Sequence, residues 1–412
     1  MTDRSNHLPA TVRQAFRAVT TGRPGAVHLA LPFDTQKAPV EISEIWADAR
    51  HSIFPAERTA PETSTIRDAT DILSEANNAV AICGGGPLLA QAEDTLSKIA
   101  TLLYLPIAST VSGQGAIAEK HPQALVVIGS NGGVPATRSV INAADVILFI
   151  ECRAGSVTTE RWRSPPRGKT IIHIDSDPMV IGANYPTDVA ICADARLALE
   201  ALLAELETCH LTSQNGALRA AQAWEAKLAA FHPLATSAEH RIRPEAVIAA
   251  LMETAQPAAI IVADPGTPCP YVSAHYRRPQ PAHHVDCLFK RGLWLDQGGS
   301  GPWLWQTLLQ RRFQPNRPRR CRARLWCQKL DGRGSCQLIP TLKEALAHPG
   351  PTLIDVISQP LHEAATPVSE WVAQGARPMF ILAKILAPQA LTPVTSAVYA
   401  PLTRIIHRGE GV

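Results

Sequence analysis

The sequence lacks a strong excess of either charge, and it lacks any long hydrophobic run. Its 412 residues carry 39 basic and 36 acidic side chains, which gives a formal net charge of +3. This balance gives no support to binding of a nucleic acid or of a membrane surface. The most apolar late stretch, residues 379–386, contains Lys384 and is far too short to span a bilayer. We therefore predict no nucleic-acid partner and no membrane partner.

The sequence also lacks the features of an exported protein that is stabilised by disulfide bonds. Residues 1–6 are polar and no long apolar run follows them, so we predict no signal peptide and a cytoplasmic location. The nine cysteines lie at scattered positions without a Cys-x-x-Cys pair. We expect reduced thiols rather than a disulfide framework.

No complete phosphate-binding fingerprint is present. Glycines instead follow three predicted strands, at residues 84–86, 129–133 and 153–155. Glycine lets a backbone approach a phosphate closely, but without the full Rossmann or P-loop spacing each of these stretches is a weak signal. Arg153 at a strand end could pair with a phosphate, and the alternative is an ordinary surface arginine.

What the sequence does contain is a regular alternation of strands and helices between residues 60 and 209. Short β-branched and apolar runs alternate with segments of helical period. Such an alternation predicts right-handed βαβ units and an α/β fold with a doubly wound, six-stranded parallel sheet. The predicted strands are residues 79–83, 106–110, 124–129, 145–151, 170–175 and 189–193, and the predicted helices are 65–77, 89–103, 136–144 and 194–206.

The stretch from Lys169 to Pro186 is the clearest strand end. β-branched residues run into Asp175-Ser176-Asp177-Pro178, which predicts a capped short helix ended by Gly182. Ligands of open parallel sheets bind beyond such strand ends, where an aspartate can accept hydrogen bonds from a ribose or diol. The alternative is a structural joint with a helix cap.

Outside this alternation the pattern is less regular. It predicts a helix over 10–20, a buried strand over 26–31 and a linker over 38–59. A partly helical connector is predicted before a helix that starts at Pro244. A strand over 258–263 then opens into Asp264-Pro265-Gly266-Thr267, which is either a phosphate cradle or a bare turn. A helix over 340–347 and a strand over 352–357 follow.

Residues 287–336 have an anomalous composition. They hold four of the eight tryptophans, four of the nine cysteines and eleven basic residues against two acidic ones. With His283 and His284 the cysteines could suggest zinc, but their irregular spacing argues against it. A basic block can bind phosphate backbones, although this one lacks the interleaving of a stacking platform.

Several of these stretches, taken in order, resemble one family. Residues 21–32, Thr-Gly-Arg-Pro-Gly-Ala-Val-His-Leu-Ala-Leu-Pro, resemble the end of the pyrimidine-binding domain of thiamine-diphosphate-dependent enzymes. The nearest group is that of acetolactate synthase, glyoxylate carboligase and benzoylformate decarboxylase. The ordered stretches 84–87, 128–132, 152–155 and 174–178 resemble that group's central domain, and 261–267 with 342–357 resemble its diphosphate-binding domain.

The resemblance implies an enzyme that decarboxylates or joins 2-oxo acids, with thiamine diphosphate and Mg²⁺ as cofactors. It implies a 2-oxo acid or aldehyde as the small-molecule substrate, and a homo-oligomer. In acetolactate-synthase-like members the central domain can hold FAD, which Gly85, Arg153 and Asp175 would face by position; many relatives lack FAD. Asp264, Gly266 and Thr267 would lie at the diphosphate.

The resemblance also implies a domain order. Residues 1–37 would end the pyrimidine-binding domain, 38–59 would be a linker and 60–209 the central domain. Residues 210–240 would be a connector, 241–376 a partial diphosphate-binding domain disrupted over 287–336, and 377–412 a tail. The chain would thus hold the central sheet between remnants of two further α/β domains.

Two departures from the family matter. The family's catalytic glutamate lies early in the pyrimidine domain and the chain starts too late to contain it, so we expect truncation at the N-terminus. No Gly-Asp-Gly with a downstream Asn, the family's magnesium and diphosphate motif, lies between Thr267 and Leu342. We assign no catalytic residue and no metal ligand, and we expect the chain alone to be inactive.

The anomalous span motivates a hypothesis of its own. Family-like sequence stops near His284 and resumes near Gln337, so residues 287–336 would be partly out-of-frame translation, which resequencing of the coding DNA decides. Two alternatives to the enzyme remain open. One is a non-catalytic oligomeric scaffold or nucleotide-binding central-domain protein, and the other is a dinucleotide-dependent oxidoreductase that uses the Gly84 loop.

Overall fold

The computed structural model describes the central part of the chain almost without gaps and the later part in pieces. The described residues are 4–39, 46–211, 215–238, 242–256, 259, 261, 263, 268–276, 326–330, 335–348, 352–357, 359 and 379–384. The predicted strand over 258–263 and the sites Asp264, Gly266 and Thr267 fall largely or wholly outside these residues. So does most of the anomalous span 287–336.

A six-stranded parallel sheet forms the centre of the molecule. Its strand order is β3-β2-β1-β4-β5-β6, and every neighbouring pair is parallel. This order is that of a doubly wound fold, so the predicted fold class is confirmed. The strands are β1 Val80–Cys83, β2 Ile107–Ser109, β3 Ala124–Val127, β4 Val146–Ile150, β5 Thr170–Asp175 and β6 Val189–Cys192.

Helices cover both faces of this sheet, which is why its strands are continuously apolar. On one face Ile66, Leu96 and Leu199 pack in one core, and on the other Val140 and Ala220 pack in a second. The helices are α3 Thr63–Glu75, α4 Gly86–Ala90, α5 Glu93–Leu102, α6 Pro135–Ala143, α7 Ala195–Leu206 and α8 Gly216–Ala235.

Helix α8 packs on the central sheet, which the sequence did not reveal. The indole Nε1 of Trp224 donates to the carbonyl of Ala124 in β3 at 2.7 Å. The guanidinium of Arg219 donates to the carbonyl of Ala79, just before β1, at 3.1 Å. The predicted connector is therefore largely one 20-residue helix held to the domain it follows.

Three predicted elements differ from the structure. Residues 26–31 are mostly exposed and are not a strand; among the described residues no strand pairs with them, and a short apolar run needs such a partner to form a strand. The turn after Asp177 forms no helix. The predicted helix 89–103 is two helices, because Gln91 adopts a left-handed φ of 57° that ends α4.

Smaller elements flank the sheet. In the N-terminal segment lie α1 Leu8–Thr20 and α2 Phe33–Lys37, with short 3₁₀ turns at Ser5–His7 and Ala49–Ser52. Later in the chain Val247, Tyr271 and Leu342 share a third core. The elements there are α9 Pro244–Thr254, α10 Pro268–His275, α11 Leu338–Ala347, β7 Trp326–Leu330, β8 Thr352–Ile357 and β9 Met379–Lys384, with a 3₁₀ turn at Ser335–Gln337, whereas the 3₁₀ turn at Val111–Gly113 follows β2 in the central sheet.

The predicted helices at 10–20, from Pro244 and at 340–347, and the strand at 352–357, are confirmed by these bounds. Strand β8 pairs in parallel with β7 and antiparallel with β9. The domain boundaries drawn from the sequence remain predictions. Among the described residues, no helix combines the length and the apolar character needed to cross a membrane.

The docking of α8 generates a prediction. A Cβ added to Gly216, the first residue of α8, would lie 1.6 Å from the carbonyl oxygen of Tyr104. Gly216→Ala must therefore push α8 away from the sheet, and we expect the free energy of unfolding to fall by about 2 kcal/mol. Urea unfolding followed by circular dichroism measures this.

Gly155→Ala is the matched control, because a Cβ at Gly155 meets nothing within 4 Å. It should change stability by less than about 0.5 kcal/mol. Equal losses in both variants would contradict the close approach at Gly216.

Candidate functional site

The carboxyl ends of the six strands meet at one edge of the sheet, and the strand order reverses there between β1 and β4. In open α/β sheets this switch point is where ligands bind. The loops that start at Gly84, Thr110, Ile128, Glu151 and Ser176 all leave from this edge. We call it the carboxyl edge.

Two glycines let the loops after β1 and β4 touch. The amide of Gly84 donates to the carbonyl of Ile150 at 2.8 Å. A Cβ at Gly84 would lie 1.7 Å from the carbonyl oxygen of Glu151, and one at Gly86 would lie 2.2 Å from the Glu151 side chain. Only glycine at both positions leaves room for the backbone and side chain of Glu151.

Glu151 is the most perturbed carboxyl group at this edge. Its backbone has a left-handed φ of 47°. The amide of Ser176 donates to its Oε1 at 3.1 Å, and the Ser176 hydroxyl donates to its Oε2 at 3.3 Å. Burial, reinforced by the neighbouring Asp175, raises the pKa of Glu151 to about 8. Near neutral pH this carboxyl group is therefore mostly protonated.

Asp175 ends β5 beside it and is buried. Its Oδ1 accepts a hydrogen bond from the amide of Asp177 at 2.9 Å. Asp177 in turn accepts from the amide of Met179 at 3.0 Å and lies 3.7 Å from Arg23. Burial raises the pKa of Asp175 as well. The two aspartates thus cap the turn that replaces the predicted helix.

Asp194 brings a third carboxyl group to the edge and is buried like Asp175. Its Oδ1 accepts from the amides of Arg196 and Leu197 at 3.1 and 3.2 Å, so Asp194 caps α7. The guanidinium of Arg58 donates to both of its carboxylate oxygens at 2.8 Å. This pair also ties the segment before α3 to the sheet.

The N-terminal segment lies across the carboxyl edge and leaves a small cleft there. The cleft holds about 40 Å³ of space, enough for water molecules but not for a dinucleotide. Its lining residues are Gly22, Pro24, Phe54, Pro55, Glu57 and Thr59 on one side and Gly86, Leu89, Ala90, Glu151, Ser176 and Asp194 on the other.

The structure brings three of the sequence-predicted site residues to this edge. Gly85 precedes α4, and a Cβ there would meet the carbonyl of Ser112 at 3.1 Å. Arg153 has an exposed side chain, while its backbone carbonyl accepts a hydrogen bond from the side-chain amide of Asn184 at 2.8 Å. Asp175 is buried as described above. Whether any of them contacts a cofactor remains a prediction, and Asp264, Gly266 and Thr267 lie outside the described residues.

Glu151 and Ser176 are the site residues that the sequence reasoning missed. A signal was present, because Glu151 directly follows β4, whose five residues Val-Ile-Leu-Phe-Ile are all buried. A charged residue at the end of a fully buried central strand faces desolvation unless a partner is supplied. In the described part of the chain, no group of three or more His, Cys, Asp or Glu side chains is arranged to hold a metal ion.

Comparison with known proteins gives a family for the central domain. Residues 66–202 match the family model described as thiamine pyrophosphate enzyme, central domain. The probable acetolactate synthase large subunit of Methanococcus aeolicus is 34% identical over 201 residues, which are 48% of this chain and 33% of that protein. That of Methanocaldococcus jannaschii is 32% identical over 248 residues, 60% of this chain and 41% of that protein.

A bacterial relative extends the match further. The acetolactate synthase isozyme 3 large subunit of Escherichia coli K12 is 28% identical over 298 residues, covering 71% of this chain and 50% of that protein. The chain thus spans between a third and a half of the length of these relatives.

The protonated Glu151 generates a prediction for the pH dependence of stability. Its pKa rises from 4.5 to about 8 on folding, so between these values the folded state holds a proton that the unfolded state has released. Stability should therefore fall as the pH rises through this range. Glu151→Gln removes the titration, and we expect it to exceed the parent in stability at pH 9 by at least about 1.4 kcal/mol, the equivalent of one pKa unit.

Urea midpoints at pH 5, 7 and 9 measure this effect. Glu75→Gln, at an exposed position near the end of α3, is the matched control and should keep the parent's pH profile. An unchanged profile in Glu151→Gln would show that this carboxyl group is ionised in the folded protein.

Proposed function

We propose that the chain serves an acetolactate-synthase-like enzyme, because residues 66–202 match the thiamine pyrophosphate enzyme central domain and the chain is similar to acetolactate synthase large subunits. The reaction class is decarboxylation or carboligation of 2-oxo acids. The observation that carries the proposal is the agreement of the family match with the doubly wound sheet, since the matched residues include all six of its strands. The substrate would be a small 2-oxo acid or aldehyde, and the assembly a homo-oligomer.

Thiamine diphosphate is the cofactor that this family membership implies, with Mg²⁺ at its diphosphate. When bound, it acts as an electron sink for bonds next to a carbonyl group. We propose that Asp264, Gly266 and Thr267 face the diphosphate, because a glycine turn at a strand end offers backbone amides and a hydroxyl. The central domain would act as the rigid body to which the cofactor-binding parts attach.

We further propose that the central domain works without FAD. A flavin dinucleotide brings a pyrophosphate, which requires free amide donors or basic side chains at the carboxyl edge. Arg153 is exposed there, but Asp175 and Asp194 bring buried carboxyl groups to the same edge, and the amide of Ser176 is already engaged by Glu151. The cleft of about 40 Å³ is too small for the flavin. These residues therefore do not fit the dinucleotide.

The absence of flavin has a direct test. The purified chain should show no flavin absorbance band, and calorimetry with FAD should give no saturable heat, because the cleft is too small for the flavin. Arg153→Ala serves as a control for weak ion pairing and should leave this result unchanged. A flavin that copurifies in stoichiometric amount would contradict the proposal.

The chain by itself should not turn over pyruvate. The family's Gly-Asp-Gly motif is not found between Thr267 and Leu342, and without its metal ligands the diphosphate is held poorly. Pyruvate consumption by the purified chain with thiamine diphosphate and Mg²⁺ measures this, with a full-length acetolactate synthase as positive control. Clear turnover would contradict the expectation.

Calorimetry separates the remaining alternatives. Heat on adding thiamine diphosphate favours the enzyme family role, and heat on adding NAD favours an oxidoreductase that uses the Gly84 loop. If none of thiamine diphosphate, FAD and NAD gives a heat of binding, a non-catalytic scaffold is favoured.

A further inference from the structure

The loop after β4 is strongly basic. Residues 152–169, which we call the basic loop, contain five basic residues and one acidic residue. Four of the five have exposed side chains and the fifth is partly buried. They are Arg153, Arg161, Arg163, Arg167 and Lys169.

The only acidic residue of the basic loop does not neutralise its surface. Glu160 is 6% exposed and forms an ion pair with Arg138 of α6. The charge of Glu160 is therefore neutralised inside the domain, and the ion pair holds the loop against α6. The positive charge of the loop faces solvent without an acidic neighbour from the loop itself, so it creates a local field that the net charge of the chain does not reveal.

An exposed tryptophan lies between two of these arginines. Trp162 is 46% exposed, between Arg161 and Arg163. Its amide donates to the hydroxyl oxygen of Thr159 at 3.1 Å, and its indole Nε1 donates to the side-chain oxygen of Asn184 at 3.1 Å. Thr159 is fully buried and its hydroxyl donates to the carbonyl of Gly155 at 2.9 Å. Trp162 is thus held by one hydrogen bond at its backbone amide and one at its indole nitrogen, while part of the indole surface stays exposed.

Backbone hydrogen bonds in the basic loop reinforce this anchoring. Glu160, Arg161 and Trp162 all have left-handed φ angles, of 50°, 59° and 59°. Hydrogen bonds close the turn, from the amide of Arg161 to the carbonyl of Ser156 at 2.7 Å and from that of Arg163 to the carbonyl of Thr159 at 2.9 Å. The loop is therefore preorganised, so a partner that binds it would pay little to order it.

We propose that the basic loop is a docking surface for an acidic segment of a partner polypeptide. The carboxylates of that segment pair with Arg161, Arg163 and Arg167, and an apolar side chain of the segment packs on the Trp162 indole. Tryptophan and arginine are the residues that contribute most to the binding energy of protein interfaces. Charge complementarity fixes the acidic character of the partner, and the anchored indole fixes its apolar residue.

The rest of the domain favours a short acidic segment over a long polyanion such as a nucleic acid. Helices α3, α5 and α7 together carry seven acidic and three basic residues, so the other face of the sheet repels an extended chain of phosphates. The loop also offers only one aromatic ring, whereas single strands bind to a series of them. A segment that contacts only the loop avoids this repulsion.

Fluorescence anisotropy tests the proposal on the full chain. The probe is a fluorescein-labelled twelve-residue peptide of repeated Glu-Glu-Leu, titrated in low salt. We expect saturable binding that weakens about tenfold in Arg161→Ala/Arg163→Ala and in Trp162→Ala. Arg161→Lys/Arg163→Lys keeps the charge and should retain most of the binding.

The matched control removes two positive charges from the opposite face of the sheet. Lys98→Ala/Arg196→Ala makes the same change in net charge and should alter the dissociation constant less than about twofold. Near-identical circular dichroism and melting of all variants show that each remains folded.

Four results would overturn the proposal. They are an absence of saturable peptide binding, an equal loss of binding in the control variant, tighter binding of a labelled single-stranded oligonucleotide of the same length, and dissociation of a self-assembled chain by the loop variants in sedimentation velocity. The last result would assign the basic loop to a contact between copies of this chain.

Discussion

The contact between the backbone of Gly84 and the carbonyl of Glu151 is the constraint on which the carboxyl edge depends. Strands β1 and β4 are neighbours in the sheet although two other strands and three helices lie between them along the chain. The loops that follow them must therefore leave the sheet through one narrow gap. A side chain at Gly84 or Gly86 would fill that gap. Because glycine stands at both positions, Glu151 can fold inward and place its carboxyl group where an open α/β sheet would otherwise offer space to a ligand.

This placement has an electrostatic consequence. Burial of the Glu151 carboxyl group raises its pKa, and the neighbouring Asp175 raises it further, so Glu151 holds a proton near neutral pH. Arg58 compensates Asp194 in the same region by a two-oxygen contact. The edge is thus closed by its own side chains and by the N-terminal segment that crosses it. Such an edge supports the proposal that the domain works without FAD.

Much of the sheet could be predicted from the sequence, because buried parallel strands read as runs of Ile, Val and Ala between helical segments. The strand over 170–175 and the helix over 194–206 were predicted on these grounds. Residues 26–31 show the limit, since an apolar run forms a strand only if a neighbour accepts its hydrogen bonds. Glu151 and the docking of α8 were missed for a related reason. The raised pKa of Glu151 depends on its burial in the fold and on Asp175, and the position of α8 depends on Ala79 and Ala124, which are distant along the chain.

Charge in this protein is organised by face, and its overall balance hides that organisation. A net charge of +3 gives no support to a long polyanion as partner, yet the same chain places an acidic helical layer on one side of the sheet and the basic loop at its carboxyl edge. The sheet lies between the two. Charges that are further apart than the Debye length of roughly 8–10 Å are screened by salt and hardly neutralise each other. Since the carboxyl edge is closed, the Arg and Trp side chains of the basic loop face outward, where a partner rather than a cofactor can reach them. Recognition by this domain therefore depends on local charge and a single anchored indole, and the net charge of the chain cannot predict either.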